Sequence, residues 1–381
     1  MTGPQLHAVA ADTVFDGLTT HRDAAVLIEG SRIKWLGPRR RLDAGIPVRE
    51  LPDRCWLVPG FIDVQVNGGG DVLFNDDPTS GGMARIVAAH RQHGTTGLLP
   101  TLLSDTPEKM RMALGAIQAL PPESGVLGIH FEGPFLAPEK AGAHLPGMTR
   151  TPGADDLRLL ASPHAGITLV TLAPERVPAG FITELAAARV RVALGHSMAT
   201  YAETRQALAE GLTGFTHLFN AMRPLASREP GPVAAALESA GAWFGMIVDG
   251  VHVHPAMLRM ALRGSARPML VTDAMPPVAG TRPTFSLYGQ PIEVHGETCV
   301  RQDGTLAGTA LDMASAVRNC VRLLGVPLTE VLGYASREPA AFLGLGDRLG
   351  RLAPGYEADM AALDPDTIEV MGTWVAGRGA D

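Results

Sequence analysis

The sequence predicts an α/β protein: a (β/α)8 TIM barrel with a small β-sandwich domain built from both chain termini. Three observations point there. Between about residues 56 and 275, eight short apolar runs alternate with longer Ala-rich stretches of helical period, the pattern of repeated βα units. The runs are almost continuously apolar, as strands of a parallel sheet buried on both faces must be. No GxGxxG follows the first run, which leaves an open dinucleotide-binding sheet without its main support.

Taken in order, residues 1 to about 55 hold short alternating segments at 26–29 and 31–36, broken by Gly and Pro as in small antiparallel strands. The eight apolar runs follow at 56–67, 97–101, 126–132, 167–172, 190–196, 214–217, 243–249 and 269–273. A further strand-like stretch spans 285–305, with Gly289 and Gly296 at its turns, and residues 311–324 resume a helical period. After about residue 350 the strand texture of the N-terminus returns at 360–363 and 373–376. The two termini are therefore expected to pair, giving a small β domain from 1–57 and 350–381 and a catalytic barrel from 58–349.

Composition narrows the function classes. With 46% hydrophobic and 19% charged residues among 381, the chain can bury a large core. Its net charge is −7, and outside Arg39, Arg40 and Arg41 it has no dense basic run, which argues against nucleic acid as a partner. Cys55, Cys299 and Cys320 are an odd number without CxxC spacing, so neither a disulfide framework nor a thiolate zinc site is expected. No apolar run approaches the ~20 residues of a membrane span, and Asp12 and Asp16 stand where a secretory signal needs a basic start. A cytoplasmic protein is the reading that follows.

In such a barrel the chemistry sits at the carboxyl ends of the strands. Here the first run closes on Gln65 and Asn67, the third on Glu132, the fifth on His196 and the sixth on His217; the seventh leads to His252, and the eighth closes on Asp273. Burying so many polar groups without partners would cost roughly 1–3 kcal/mol each, and a shared divalent metal would offset that cost. Two His and one Glu make a known catalytic zinc set, so Glu132, His196 and His217 are the predicted ligands. Iron suits the same donors. Asp273 is placed to act as general base toward an attacking water.

Single residues support plainer readings. Taken alone, His196 or His217 reads more readily as a hydrogen-bonded structural residue than as a ligand, and Gln65 with Asn67, which share a strand face, reads equally well as polar turn residues. His90 and His93 are read as a solvated helix face and Arg39–Arg41 as an exposed turn. Gly68 to Gly70 lack the Lys-Ser/Thr of a P-loop and are read as a tight loop beneath the site. His7, His21, His164, His254 and His295 have no partner pattern and are given surface or structural roles.

Motifs along nearly the whole chain carry a family resemblance: PGFIDVQVNG at 59–68, GIHFEGPF at 128–135, KAGAH at 140–144, LGHS at 194–197, THLFNAM at 216–222, REPG at 228–231, DGVHV at 249–253, VTDAM at 271–275 and LAGTALDM at 306–313. The sequence resembles the N-acetylglucosamine-6-phosphate deacetylases of the amidohydrolase superfamily. The segment GRLAPGYEAD at 350–359 is similar to the superfamily only.

The resemblance implies hydrolytic removal of acetate from N-acetylglucosamine 6-phosphate. Asp273 would serve as base and then as acid, and His144 would polarise the acetyl carbonyl. It also implies that Ala143, Asn220, Ala221, Leu306, Ala307 and Gly308 hold the sugar, and that Arg228 and His252 bind the phosphate, part of that set coming from the other subunit of a homodimer. Many superfamily members carry His-x-His where this chain has Gln65-x-Asn67. That departure implies one metal per subunit, zinc or iron, with Gln65 reaching it through water.

Three rivals stay open. One changes the sugar, to N-acetylgalactosamine 6-phosphate. Another is a cyclic-amide hydrolase, which needs a modified Lys after the fourth strand, where this chain has Thr171, Leu172 and Ala173. The last is a non-catalytic sugar-phosphate-binding barrel, whose mark would be loss of the base or the ligands.

Overall fold

The computed structural model of the protein describes residues 6–379; the expected terminal domain's residues 1–5 and 380–381 lie outside them. Eight parallel strands form one sheet: Phe61–Val66, Thr95–Leu103, Gly128–Glu132, Ile167–Leu172, Arg191–Leu194, Gly214–Phe215, Trp243–Met246 and Arg267–Leu270. Each pairs in parallel with the next, the first pair with register shifts at Phe61/Ile62 and Asp63/Val66, and a parallel bridge from Val66 to Ala274 links the first strand to the end of the eighth, bringing the two edges of the barrel together.

Helices follow the strands because the intervening segments carry the right start and stop signals. Thr79 and Thr106 cap Ser80–Arg91 and Pro107–Gln118 by accepting the backbone N–H of Gly82 and Lys109. Thr200 and Glu203 form a capping box on Tyr201–Glu210, which Gly211 ends in a left-handed turn. The helices bury their apolar faces against outward strand residues such as Ile129 and Phe131, while His130 and Glu132 alternate to the barrel interior. Among the described residues no helix is long and apolar enough to cross a membrane.

The terminal segments build a second, eight-stranded sheet. Its N-terminal strands Leu6–Phe15, Thr20–Glu29 and Arg32–Pro38 join Trp56–Pro59, which pairs with Met360–Leu363 and so ties the two ends of the chain together. One correction follows. The apolar run at 56–67 is two strands: Gly60 donates its N–H to the carbonyl of Asp359, and the chain passes there from the terminal sheet into the barrel. Periodicity cannot show such a break, because both halves are buried.

Asp359 sits at this junction. Burial pushes its carboxyl up to about 7, against a hydrogen bond from the Ala376 N–H that favours the charged form. The folded value exceeds the ordinary 3.8, so the folded state holds a proton that the unfolded chain has lost. The stability it contributes is therefore complete below about pH 4 and is lost as pH rises through about 7. Asp359→Asn is expected to flatten this slope, narrowing the gap in denaturant stability between pH 5 and pH 8 by on the order of 1–3 kcal/mol. An unchanged slope would show that the group titrates normally.

Residues 284–309 form an antiparallel sheet of four strands, Thr284–Leu287, Gln290–His295, Thr298–Arg301 and Leu306–Thr309, with Gly289 and Gly296 at positive φ in its turns as expected. It leans over the barrel mouth: Tyr288 donates its hydroxyl to the Ser104 carbonyl, and Arg301 donates to the carbonyl of Ala143.

Candidate active site

The loops at the carboxyl ends of the strands enclose a cavity of about 380 Å³. The residues predicted from sequence converge on it. Glu132, His144, His196, His217, His252 and Asp273 line it, as do Asn67, Ala143, Asn220, Ala221, Leu306, Ala307 and Gly308. Arg228 does not; it is exposed and outside the walls of its own chain's pocket. Gln65 lies beneath, donating its side-chain N–H to Glu132 Oε1 at 3.1 Å and to Asp273 Oδ1 at 3.2 Å.

The backbone is strained where the chemistry is carried. His196, His217, Ala221 and Asp273 have φ of 50°, 30°, 51° and 52°, a left-handed conformation that side chains with a Cβ rarely adopt. Such strain persists only where the surroundings hold it, and it concentrates at functional sites. Here the 196–199 and 217–223 loops are laced together: Ser197 N–H donates to the Ala221 carbonyl, Arg223 N–H to the Ser197 carbonyl, and the Arg223 guanidinium to the Met198 carbonyl. Gly308 is required beside Asp273, since a Cβ there would lie 2.8 Å from the Asp273 carbonyl oxygen.

Glu132, His196 and His217 offer donor atoms within 4.8 Å of one another. Oε1 of Glu132 is 3.2 Å from His196 Nε2 and 3.0 Å from His217 Nε2, and the two Nε2 atoms are 3.1 Å apart. His196 Nδ1 faces the Lys140 carbonyl at 2.7 Å, so it must carry hydrogen, and the neutral ring turns the lone pair of Nε2 toward the other two donors. Three lone pairs meeting in a buried space repel unless positive charge lies among them. The titration tendencies agree: burial opposes charge on Glu132, but the close approach of His196 and His217 holds its carboxyl well below the usual range. Burial likewise opposes charge on His217, yet the bond to Glu132 leaves it above its usual value. This donor set fits a divalent cation.

Asp273 is set differently. Burial, and then repulsion from Glu132, push its carboxyl up to about 6, while Asn67 donates its amide N–H to Oδ1 at 2.6 Å. A carboxylate with a pKa near working pH is suited to accept and return a proton. His144 is kept neutral, its pKa pushed down to about 3 by burial and by His196. Its Nδ1 accepts the Ser104 backbone N–H at 3.2 Å, so Nε2 carries the hydrogen, 4.0 Å from Glu132 Oε2.

Sequence reasoning missed several supporting residues. His130, fully buried, bonds through Nδ1 to the Val64 carbonyl and through Nε2 to Thr171 Oγ1, which meets Thr216 Oγ1 at 2.6 Å. This hydrogen-bond chain ties four barrel strands together beside Glu132. His90, read as solvated, is instead buried and bonded to the Gly68 carbonyl, because its helix face packs on the 68–73 hairpin. His130 had one legible signal, its i−2 spacing from Glu132; His90 had none, since its partner is a backbone group 22 residues away.

Comparison with known proteins accords with this geometry. The model of the amidohydrolase family matches residues 56–378. The chain is 42% identical over 326 residues to an N-acetylgalactosamine-6-phosphate deacetylase of Shewanella sp. (strain ANA-3), covering 84% of this chain and 82% of that one. It is 34% identical over 367 residues to an N-acetylglucosamine-6-phosphate deacetylase of Haemophilus influenzae, covering 94% of each. The crystal structure of the Pasteurella multocida N-acetylglucosamine-6-phosphate deacetylase superposes with a TM-score of 0.94 at 31% identity, covering 98% of this chain and 99% of that one. A mutant of the Mycobacterium smegmatis enzyme, in complex with N-acetyl-D-glucosamine-6-phosphate, superposes with a TM-score of 0.89 at 34% identity over 98% and 99% of the two chains. Fold, donor set and likeness along most of the sequence lead to one conclusion: the chain belongs to the amidohydrolase family and is a hydrolytic enzyme acting on an amide.

Proposed function

We propose that the protein hydrolyses N-acetyl-D-glucosamine 6-phosphate to D-glucosamine 6-phosphate and acetate. The observation that carries this reading is the pairing of a cation-seeking Glu-His-His cluster with Asp273 in one pocket of sugar-phosphate size. Glu132, His196 and His217 would hold one divalent metal per subunit, zinc or iron. When bound, such a cation lowers the pKa of water toward about 7 and polarises a carbonyl oxygen.

The chain's own residues supply the rest. Asp273 takes a proton from the attacking water and returns it to the nitrogen as the carbon–nitrogen bond breaks, leaving the free amine and acetic acid, which ionises to acetate as its remaining proton passes to solvent. Its raised pKa suits both steps. His144 donates its Nε2–H to the acetyl oxygen, a donation worth about 10²–10³ in turnover where charge develops on that oxygen. Asn220, Ala221 and the 306–308 strand line the wall that would hold the sugar, with Ala143 opposite.

His252 would meet the phosphate. Arg228, exposed and away from its own pocket, is assigned to the pocket of a second copy in a homodimer; the exposed Leu225 and Val251 flank the two phosphate residues with apolar surface that such a contact would cover. Arg suits the role, since its planar fork matches phosphate oxygens in a protein whose net charge of −7 repels anions generally. A cytoplasmic location accords with these substrates.

The sugar's epimer is the point at which a second reading has support, since the Shewanella relative at 42% identity is an N-acetylgalactosamine-6-phosphate deacetylase. Metal analysis coupled to acetate release from both phosphorylated sugars and from unphosphorylated N-acetylglucosamine tests the proposal. One metal per subunit and fastest release from the glucosamine phosphate are expected. Preference for the galactosamine phosphate would transfer the assignment to that sugar, and absence of release from any of the three would overturn it.

A further inference from the structure

Asp249, the buried partner of His252 in the pocket wall, has no part in the chemistry above. The side chain of Asp249 has no solvent exposure and that of His252 has 5%. Oδ1 of Asp249 accepts the backbone N–H groups of Val251 and His252, each at 2.9 Å, and Oδ2 faces His252 Nδ1 at 2.5 Å. The loop is tied down at its start as well, where Asn319 donates to the Val248 carbonyl. The carboxylate is thus fixed by its own loop before it meets the imidazole. Burial opposes its charge, but the bond from His252 holds its pKa below the ordinary range, so it is an anion and Nδ1 must carry hydrogen.

That leaves Nε2, which has no hydrogen-bond partner among the described residues, as the ring's other polar atom in a side chain that lines the cavity. With Nδ1–H committed, a neutral ring would present a lone pair at Nε2 and repel an anion. It can give hydrogen to a phosphoryl oxygen only as the cation. Asp249 lies behind it and alone is hydrogen-bonded to the ring, while Glu132, Glu139, Lys140, His196, His217 and Asp273 share its pocket.

We propose that Asp249 is a positioning residue that makes His252 an anion receptor: it orients the ring, commits Nδ1 and supports the cationic form that donates from Nε2 to a phosphoryl group. The inference rests on the reading of His252 as a phosphate contact and goes beyond it by assigning the group that sets its tautomer and charge.

Asp249→Asn separates the two. The Asn oxygen must stay on the Val251 and His252 N–H groups, so its NH2 turns to Nδ1 and forces a neutral ring with hydrogen on Nε2. A donor remains but its charge is gone. Charge-assisted hydrogen bonds are about twice as strong as neutral ones, so KM for the phosphorylated sugar and Ki for inorganic phosphate are each expected to rise about tenfold. Metal content, kcat, and KM for unphosphorylated N-acetylglucosamine should stay at wild-type values, which a merely structural defect would not allow.

His252→Asn serves as the companion. If it weakens phosphate inhibition while Asp249→Asn does not, the phosphate reading stands and the Asp249 assignment falls. If His252→Asn leaves phosphate inhibition unaltered, the underlying reading falls and takes the inference with it. Nitrogen-15 NMR of the wild-type imidazole with saturating inorganic phosphate gives a test that needs no variant: both ring nitrogens protonated is the expected result, and an unprotonated Nε2 with phosphate bound would overturn it.

Discussion

Asp273→Asn is expected to keep its metal and its fold while losing turnover by at least about 10³-fold, the upper half of what positioned proton transfer contributes and more if the residue serves both steps. Asn67 and Gln65 both point amide N–H groups at Oδ1, at 2.6 and 3.2 Å, so an Asn oxygen satisfies them and its NH2 faces the cavity. Nothing at that place then accepts a proton. Stability should not suffer. The carboxyl is pushed up to about 6 by burial and by Glu132, so its folded pKa lies above the ordinary 3.8 and its stabilising share is lost as pH rises through about 6. At pH 8 the neutral variant should melt at the wild-type temperature or higher. Single-turnover acetate release with parallel metal analysis checks this; turnover within tenfold of wild type would remove Asp273 from the proposed role.

Glu132→Gln tests the cluster itself. Its Oε1 is the atom that both Nε2 groups and the Gln65 amide approach, within 3.0–3.2 Å. A carboxamide keeps the shape but is a weak ligand and brings no charge, so the metal is expected to leave on dialysis and turnover to fall by at least about 10³-fold. The second consequence is opposite in sign. A ligand present at 1,000 times its Kd stabilises the folded state by about 4.1 kcal/mol, so a chelator should lower the wild-type melting temperature. In the variant the Gln NH2 can donate to a neutral imidazole, which relieves the crowding of lone pairs, and the same chelator should have little effect. Full metal occupancy in the dialysed variant would refute the assignment.

Much of this molecule was legible in its residues because the two strongest signals are local. An apolar run bounded by helix-period segments reads as a buried parallel strand wherever its neighbours lie, and the residue closing that run faces the barrel mouth by the geometry of the fold. Glu132, His196, His217 and Asp273 were found in this way, and the structure gathers all four around one cavity. The roles of Asn220, Ala221 and the 306–308 segment had no such signal and came from resemblance alone.

What escaped was whatever depends on a partner distant in the chain. Whether His90 faces solvent or the Gly68 carbonyl, which of its nitrogens His144 presents, and whether Asp249 closes a strand or grips His252 are each settled by a contact that no spacing encodes. The break at Gly60 is of the same kind, since only the approach of Asp359 marks it.

Residue order alone encodes the alternation of strands and helices, the shared texture of the two termini, and the polar residues that end the barrel strands, because periodicity and burial are properties of short segments. Tertiary structure alone decided how those residues are charged and oriented. Proton positions and pKa values follow from distances of a few ångströms between side chains brought together by closure of the barrel, and those distances are not written in any one segment.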